Sequence, residues 1–128
     1  MSDCKERLEQ SLRHIVEVLE GYRDDLVMDR DTGKMTDPSA LDEDDIIDLK
    51  EYLTDTLGIH FVVDGDCGYR AVIITMTSGG PGIWLDTWEM CVRGLWGPDR
   101  AEVPLTAPLA EMVDTEMRYE YEMRRGSR

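Results

Sequence analysis

Positive charge is what this sequence has least of relative to its opposite. Fourteen Lys and Arg face 28 Asp and Glu, a formal net charge of -14. That lies well beyond the magnitude of ~2–8 that keeps a small domain soluble. Like charges repel, so the balance excludes direct binding to DNA, to RNA or to an anionic membrane surface, and it favours a basic partner. Lysine is scarcest: Lys5, Lys34 and Lys50 are the whole set, and none falls in the region that reads as a sheet. The carboxylates grouped around a lysine that a metal nuclease uses are therefore missing.

Cysteine is also sparse. Cys4, Cys67 and Cys91 are odd in number and have no paired spacing. This excludes a disulfide framework and predicts three free thiols, each behaving as a small hydrophobe in a reducing compartment. No apolar run approaches ~18 residues, and Met1 to Glu6 contain no apolar signal region. A soluble, cytoplasmic protein is expected.

The motifs of common catalytic sites are missing as well. His14 and His60 stand far apart, and no Cys/His cluster has zinc spacing. There is no glycine-rich loop ending in Lys-Ser or Lys-Thr and no Gly-x-Ser-x-Gly elbow. Asp29-Arg30-Asp31-Thr32-Gly33 and Asp64-Gly65-Asp66-Cys67-Gly68 glance at a calcium loop. Counted from each first Asp, however, position 12 is Ala40 or Thr75 rather than the bidentate Glu. Both read as acidic turns. Ser78-Gly79-Gly80-Pro81-Gly82 offers consecutive N–H groups for an anion, but Pro81 removes a donor and no basic residue lies within it. It reads as a connection between strands. The expectation is a protein without catalysis, metal or cofactor. A hydrolase using Asp64, Asp66 and Asp86 is the remotest reading.

What is present specifies a fold. A chain of 128 residues, 41% hydrophobic, suits one domain that buries roughly two-thirds of its unfolded surface. From residue 59 to 105 the helical period gives way to short apolar runs: Phe61–Val63, Ala71–Ile74, Ile83–Leu85, Met90–Val92 and Glu102–Val103. Turn residues at 64–68, 78–82, 86–89 and 97–100 separate them. No connection is long enough for a parallel crossover, so the strands form an antiparallel meander. Before it, Leu8, Leu12, Ile15, Leu19, Tyr22 and Leu26 trace a heptad stripe on a helix from about Asp3 to Asp29. That stripe suits either an amphipathic helix lying on the sheet or a coiled-coil seam joining a homodimer. Gly21 costs this helix roughly 1 kcal/mol relative to Ala and marks a possible bend. A loop covers 31–40. A second helix is expected from Asp42 to a terminal Gly58, burying Ile46, Leu49, Leu53 and Leu57. A third begins after Thr106, with Pro108 in its first turn, and frays from Arg124. The fold class is α+β: a four- to five-stranded antiparallel meander (59–105), two helices in an acidic N-terminal part (1–57), and one C-terminal helix (106–125).

The acidity is concentrated. Between Asp24 and Asp55 twelve acidic residues face Arg30, Lys34 and Lys50, a net -9 of the total -14. On the expected second helix Asp44, Asp48, Glu51 and Asp55 form one stripe about 16 Å long, opposite the apolar one. Asp42 and Asp45 extend it at the cap, where acids suit the helix dipole. Like charges at such spacing cost about 0.2–0.5 kcal/mol per pair, so folding alone does not account for the stripe. A carboxylate row of this kind can occupy a groove built for phosphates, which duplex DNA presents every ~1.7 Å of axis.

In size, charge and α/β organisation the chain is similar to small acidic proteins of phages and conjugative elements, among them anti-restriction and anti-CRISPR inhibitors. The stretch Ser78-Gly79-Gly80-Pro81-Gly82-Ile83-Trp84-Leu85-Asp86-Thr87, with Leu95-Trp96-Gly97 and Val103-Pro104-Leu105, resembles a pattern in mobile-element proteins of gut bacteria. These inhibitors share no common fold, so the resemblance bears on function alone. It implies an acidic decoy that blocks a basic nucleic-acid-binding protein, such as an RNA-guided nuclease. The resemblance transfers no residue; from the acidic stripe and its cap, the binding residues would be Asp42, Asp44, Asp45, Asp48, Glu51 and Asp55. The alternative is a small interaction or regulatory domain using a tryptophan-bearing sheet. Of Trp84, Trp88 and Trp96, at least two suit a half-buried sheet, and Trp88 in the 86–89 turn is the candidate exposed anchor.

Overall fold

The computed structural model describes residues 2–77 and 81–126. Helix α1 (Ser2–Arg23) buries Leu8, Leu12, Ile15, Val18, Leu19 and Tyr22. It stops short of Asp29 because Asp25 takes a left-handed conformation, φ 66°. The Leu26 N–H then reaches back to the Gly21 carbonyl (2.9 Å) and the Asp25 N–H to that of Tyr22 (3.1 Å). This pair of bonds is a Schellman ending, with an Asp where Gly is commoner. Leu8, Leu12, Ile15 and Leu19 of the heptad stripe join the sheet in a single core, and Tyr22 packs against Tyr52. A coiled-coil seam would have to use those same side chains, so that alternative loses its surface.

The expected second helix is mostly absent. Glu43–Asp45 form a 3-10 turn, Ile46–Ile47 a strand (β3) and Leu49–Thr54 a six-residue helix (α2). The break falls at Asp48, whose carboxylate accepts the Glu51 N–H at 2.8 Å and so starts α2 there. The β-branched pair Ile46-Ile47 joins a strand instead: β1 (Val27–Asp29) pairs with β3 on one side and with β2 (Met35–Thr36) on the other. This small sheet takes its residues from the expected end of the first helix, the expected loop and the expected second helix. Of the predicted apolar stripe, Leu53 is buried and Leu49 packs against the core, whereas Leu57 is 64% exposed. Gly58 opens a strand rather than closing a helix.

The meander forms as expected. Strands β4 (Gly58–Val63), β5 (Tyr69–Thr77), β6 (Gly82–Asp86), β7 (Cys91–Trp96) and β8 (Asp99–Pro104) lie side by side in chain order, all antiparallel. Of the predicted 78–82 connection, Ser78 to Gly80 lie outside the described residues. Alternation sorts the faces. The row Ile59, Ile74, Leu85, Val92 and Val103 points toward the helices, and the row His60, Ile73, Asp86, Cys91 and Pro104 points away. Helix α3 (Ala107–Gly126) buries Leu109, Ala110, Val113 and Met117 in the core that α1 also joins. It stays helical past Arg124, because Arg125 donates to the Cys67 carbonyl (3.1 Å) and Arg124 pairs with Glu120 (2.8 Å). Both long helices thus cover one face of the five-stranded sheet. Among the described residues, the other face carries no helix.

Candidate functional site

The acidic segment folds onto the end of α1. Gly21 permits the approach: a Cβ there would stand 2.7 Å from Met35 Cγ in β2. The glycine that costs the helix propensity is what lets the small sheet dock. Tyr22 secures the contact by donating its hydroxyl to the Ile47 carbonyl at 2.6 Å, and its ring lies 5.9 Å from that of Tyr52. Burial, with the nearby charges of Asp48 and Glu51, pushes the Tyr22 hydroxyl up to about 12, against a backbone hydrogen bond from Met28 that lowers it.

At the centre stands Arg30. Its guanidinium forks onto both carboxylate oxygens of Glu51 (2.8 and 3.0 Å) and also donates to the carbonyls of Asp44 and Ile46, each at 3.2 Å. One side chain so ties the β1–β2 hairpin to the 3-10 turn and to α2, using the five fixed donors only Arg provides. The hydrogen bond from Arg30 holds the Glu51 carboxyl below its ordinary value, and the same bond raises Arg30.

The predicted carboxylate stripe is overturned by this geometry. Asp44 lies in the 3-10 turn, Asp48 caps the start of α2, Glu51 is bound to Arg30 and Asp55 follows the helix as its C-cap. Glu51 has a structural reason for its place, contrary to expectation. Another set gathers instead. Partial desolvation, and then the charges of Asp31, Asp42, Asp29 and Asp44, raise the Asp45 carboxyl above its ordinary value. Asp42, Asp44 and Asp45 were expected at the site; Asp29 and Asp31 were not. They arrive because β1 pairs with β3, placing Asp29 opposite Ile46. The sequence signal was Ile46-Ile47 between two Asp residues, a strand-forming pair that a helical reading absorbs.

The open sheet face is the second region. Trp88 is 57% exposed in the turn after β6, while Trp84 and Trp96 are half-buried. Asp86 holds that turn: nearly fully buried, it accepts the Glu89 N–H at 2.9 Å and pairs with Arg93. Thr87 anchors the turn to β5 by accepting the Val72 N–H at 2.9 Å. It also donates to Asp114 (2.8 Å), which takes the Tyr69 hydroxyl as well (2.6 Å). Beside Trp84 a groove of about 610 Å³ runs past Arg93, Leu95 and Arg100 to Lys5 on α1.

The remaining candidates are occupied by structural duties. Asp64 accepts the N–H groups of Asp66 and Gly68, which hold its carboxyl low and build the predicted turn. Asp86 is committed to Arg93. Hence Asp64, Asp66 and Asp86 are not assembled into one site. His14 and His60 are both on the surface. Among the described residues, no group of three or more His, Cys, Asp or Glu is placed to hold a metal ion, and no helix is long and apolar enough to cross a membrane. Comparison of the chain with protein-family models, with curated proteins and with solved structures gives no match.

Proposed function

We propose that the protein works by binding: its acidic module occupies the basic, nucleic-acid-binding surface of a bacterial host-defence nuclease. This is the anti-restriction or anti-CRISPR role, with an RNA-guided nuclease as one target. The observation that carries the reading is the gathering of acidic residues around Asp45. The Arg30 N–H, between Asp29 and Asp31, donates to the Asp45 carbonyl at 2.8 Å, and the Asp45 N–H donates to the Asp42 carbonyl at 2.9 Å. The charges of Asp31, Asp42, Asp29 and Asp44 therefore help to raise the Asp45 carboxyl. Asp29 builds its own turn by accepting the Asp31 N–H at 2.9 Å, but the fold gains nothing from crowding Asp31, Asp42 and Asp44 about Asp45, whereas a groove lined with Lys and Arg does. The carboxylates come from a hairpin and a turn cross-braced by Arg30, so their spacing is preset. Binding then costs little ordering entropy.

The test is inhibition of DNA cleavage by a panel of purified RNA-guided and restriction nucleases. The Asp31→Asn, Asp42→Asn, Asp44→Asn and Asp45→Asn variant should fold and lose inhibition. Inhibition by the unaltered chain should fall steeply with added salt, because exposed charges are screened over ~8–10 Å. A folded quadruple variant that inhibits at full strength ends the decoy reading. The second reading, an interaction domain using the sheet, is favoured by the exposure of Trp88. It predicts that Trp88→Ala abolishes inhibition while the charge variant keeps it.

A further inference from the structure

We infer that the open face of the five-stranded sheet pairs with the same face of a second copy, each Trp88 seating in the groove beside the other's Trp84. A two-fold interface needs a patch that is complementary to itself, with a protrusion and a matching recess on one surface. This face has both. Trp88, 57% exposed, borders the open face beside Ile73, Cys91 and Arg93, and the groove takes Trp84, Arg93 and Leu95 from the same face before reaching Lys5 and Glu9 on α1. Arg93 and Leu95 stand two and four residues into the strand that leaves the turn of Trp88. Knob and recess are thus about 10 Å apart along β7, and a two-fold axis between them exchanges one for the other.

The recess carries Lys5, Arg93 and Arg100 against Glu9 and Glu102, and one of its cations has a counterpart beside the knob. Glu89 adjoins Trp88, and Arg100 lines the recess; both are exposed, and neither side chain has a partner among the described residues. Each Glu89 would face the other copy's Arg100. The indole of Trp88 would also meet the guanidinium of Arg93 or Arg100, a favourable contact for an aromatic face.

Two bodies of -14 ordinarily repel. Here the module that carries -9 docks on α1, on the helical side of the sheet, so pairing through the open faces leaves the two modules on opposite outer sides. Size is adequate. Five strands at ~4.8 Å spacing and six residues at ~3.3 Å give a flat footprint of roughly 500 Å² per copy. Both copies together bury about 1,000 Å² before side-chain relief is added, the lower bound of a specific interface.

Sedimentation equilibrium of the full chain tests this without any nuclease, so its outcome is independent of the decoy reading. The chain should form a dimer that tightens from low to moderate salt, the opposite sign to decoy binding, because residual repulsion between the modules is screened. Trp88→Ala should weaken it at least about thirty-fold, as loss of a ~2 kcal/mol anchor does. Arg100→Glu should break it, and Glu89→Arg together with Arg100→Glu should restore it. All these positions are exposed, so far-ultraviolet circular dichroism should match the parent, and urea midpoints should match it at dilutions where the parent is monomeric. A chain that stays monomeric to near-millimolar concentration overturns the inference. So does a dimer indifferent to Trp88→Ala, or a charge swap that fails to restore pairing.

Discussion

Gly94 sets how closely α1 lies on the sheet, and replacing it with Ala tests the whole arrangement. A Cβ at this position in β7 would stand 2.6 Å from Leu8 Cδ1, 3.2 Å from the Gly82 carbonyl oxygen and 3.3 Å from Leu12 Cδ2. Leu8 and Leu12 are both 0% exposed, so neither can swing into solvent, and the carbonyl belongs to the neighbouring strand. Overpacking of this kind costs about 1–3 kcal/mol. Against it stands about 0.4–1 kcal/mol from stiffening the unfolded chain. Net destabilisation of about 1–2 kcal/mol is expected, lowering the melting temperature by about 3–10 °C for a domain of this size. Urea unfolding should show a lower midpoint at unchanged slope, the mark of lost stability without a changed native state. A double-mutant cycle with Leu8→Ala should show coupling, the pair costing less than the sum of the single changes. If Gly94→Ala is neutral or stabilising, α1 does not press on β7 as described.

Two carboxylates of the acidic module should respond to pH in opposite senses. Asp45 has a raised folded value, so its favourable contribution exists below the ordinary Asp value of ~3.9 and is lost as pH rises through the folded value. Asp45→Asn should therefore raise the melting temperature at pH 7, and the gain should vanish in acid. Glu51 is depressed by Arg30, so its contribution is present above the ordinary Glu value and lost as pH falls through the folded one. Glu51→Gln should lower the melting temperature at pH 7, with no difference remaining in strong acid. Thiol reactivity gives a separate check: Cys4 and Cys67 are exposed, whereas Cys91 is buried, free, and pushed up by that burial. A disulfide-exchange reagent should modify two thiols at once and the third only on unfolding.

The sequence by itself determined an antiparallel meander of four to five strands and the two long helices; the structure set the count at five. Their signals are local and repeated: alternation along each strand, the 4-3-4-3 spacing from Leu8 to Tyr22, and turn residues between. The exposed place of Trp88 was legible for the same reason, since Asp86 to Glu89 interrupts two apolar runs. Only the tertiary structure decided residues 24–57. Strands of two or three residues such as Met35–Thr36 and Ile46–Ile47 are too short to show any period. Ile46 and Leu49 fit a helical stripe as readily as they fit what forms. The strand that claims Ile46 and Ile47 lies far back in the chain, at Val27–Asp29, and that pairing energy is invisible to a local reading. The site followed the same rule. Asp42, Asp44 and Asp45 were legible as an acidic run, but Asp29 and Asp31 joined them, and Arg30 took Glu51 away, only once the hairpin had folded against the turn.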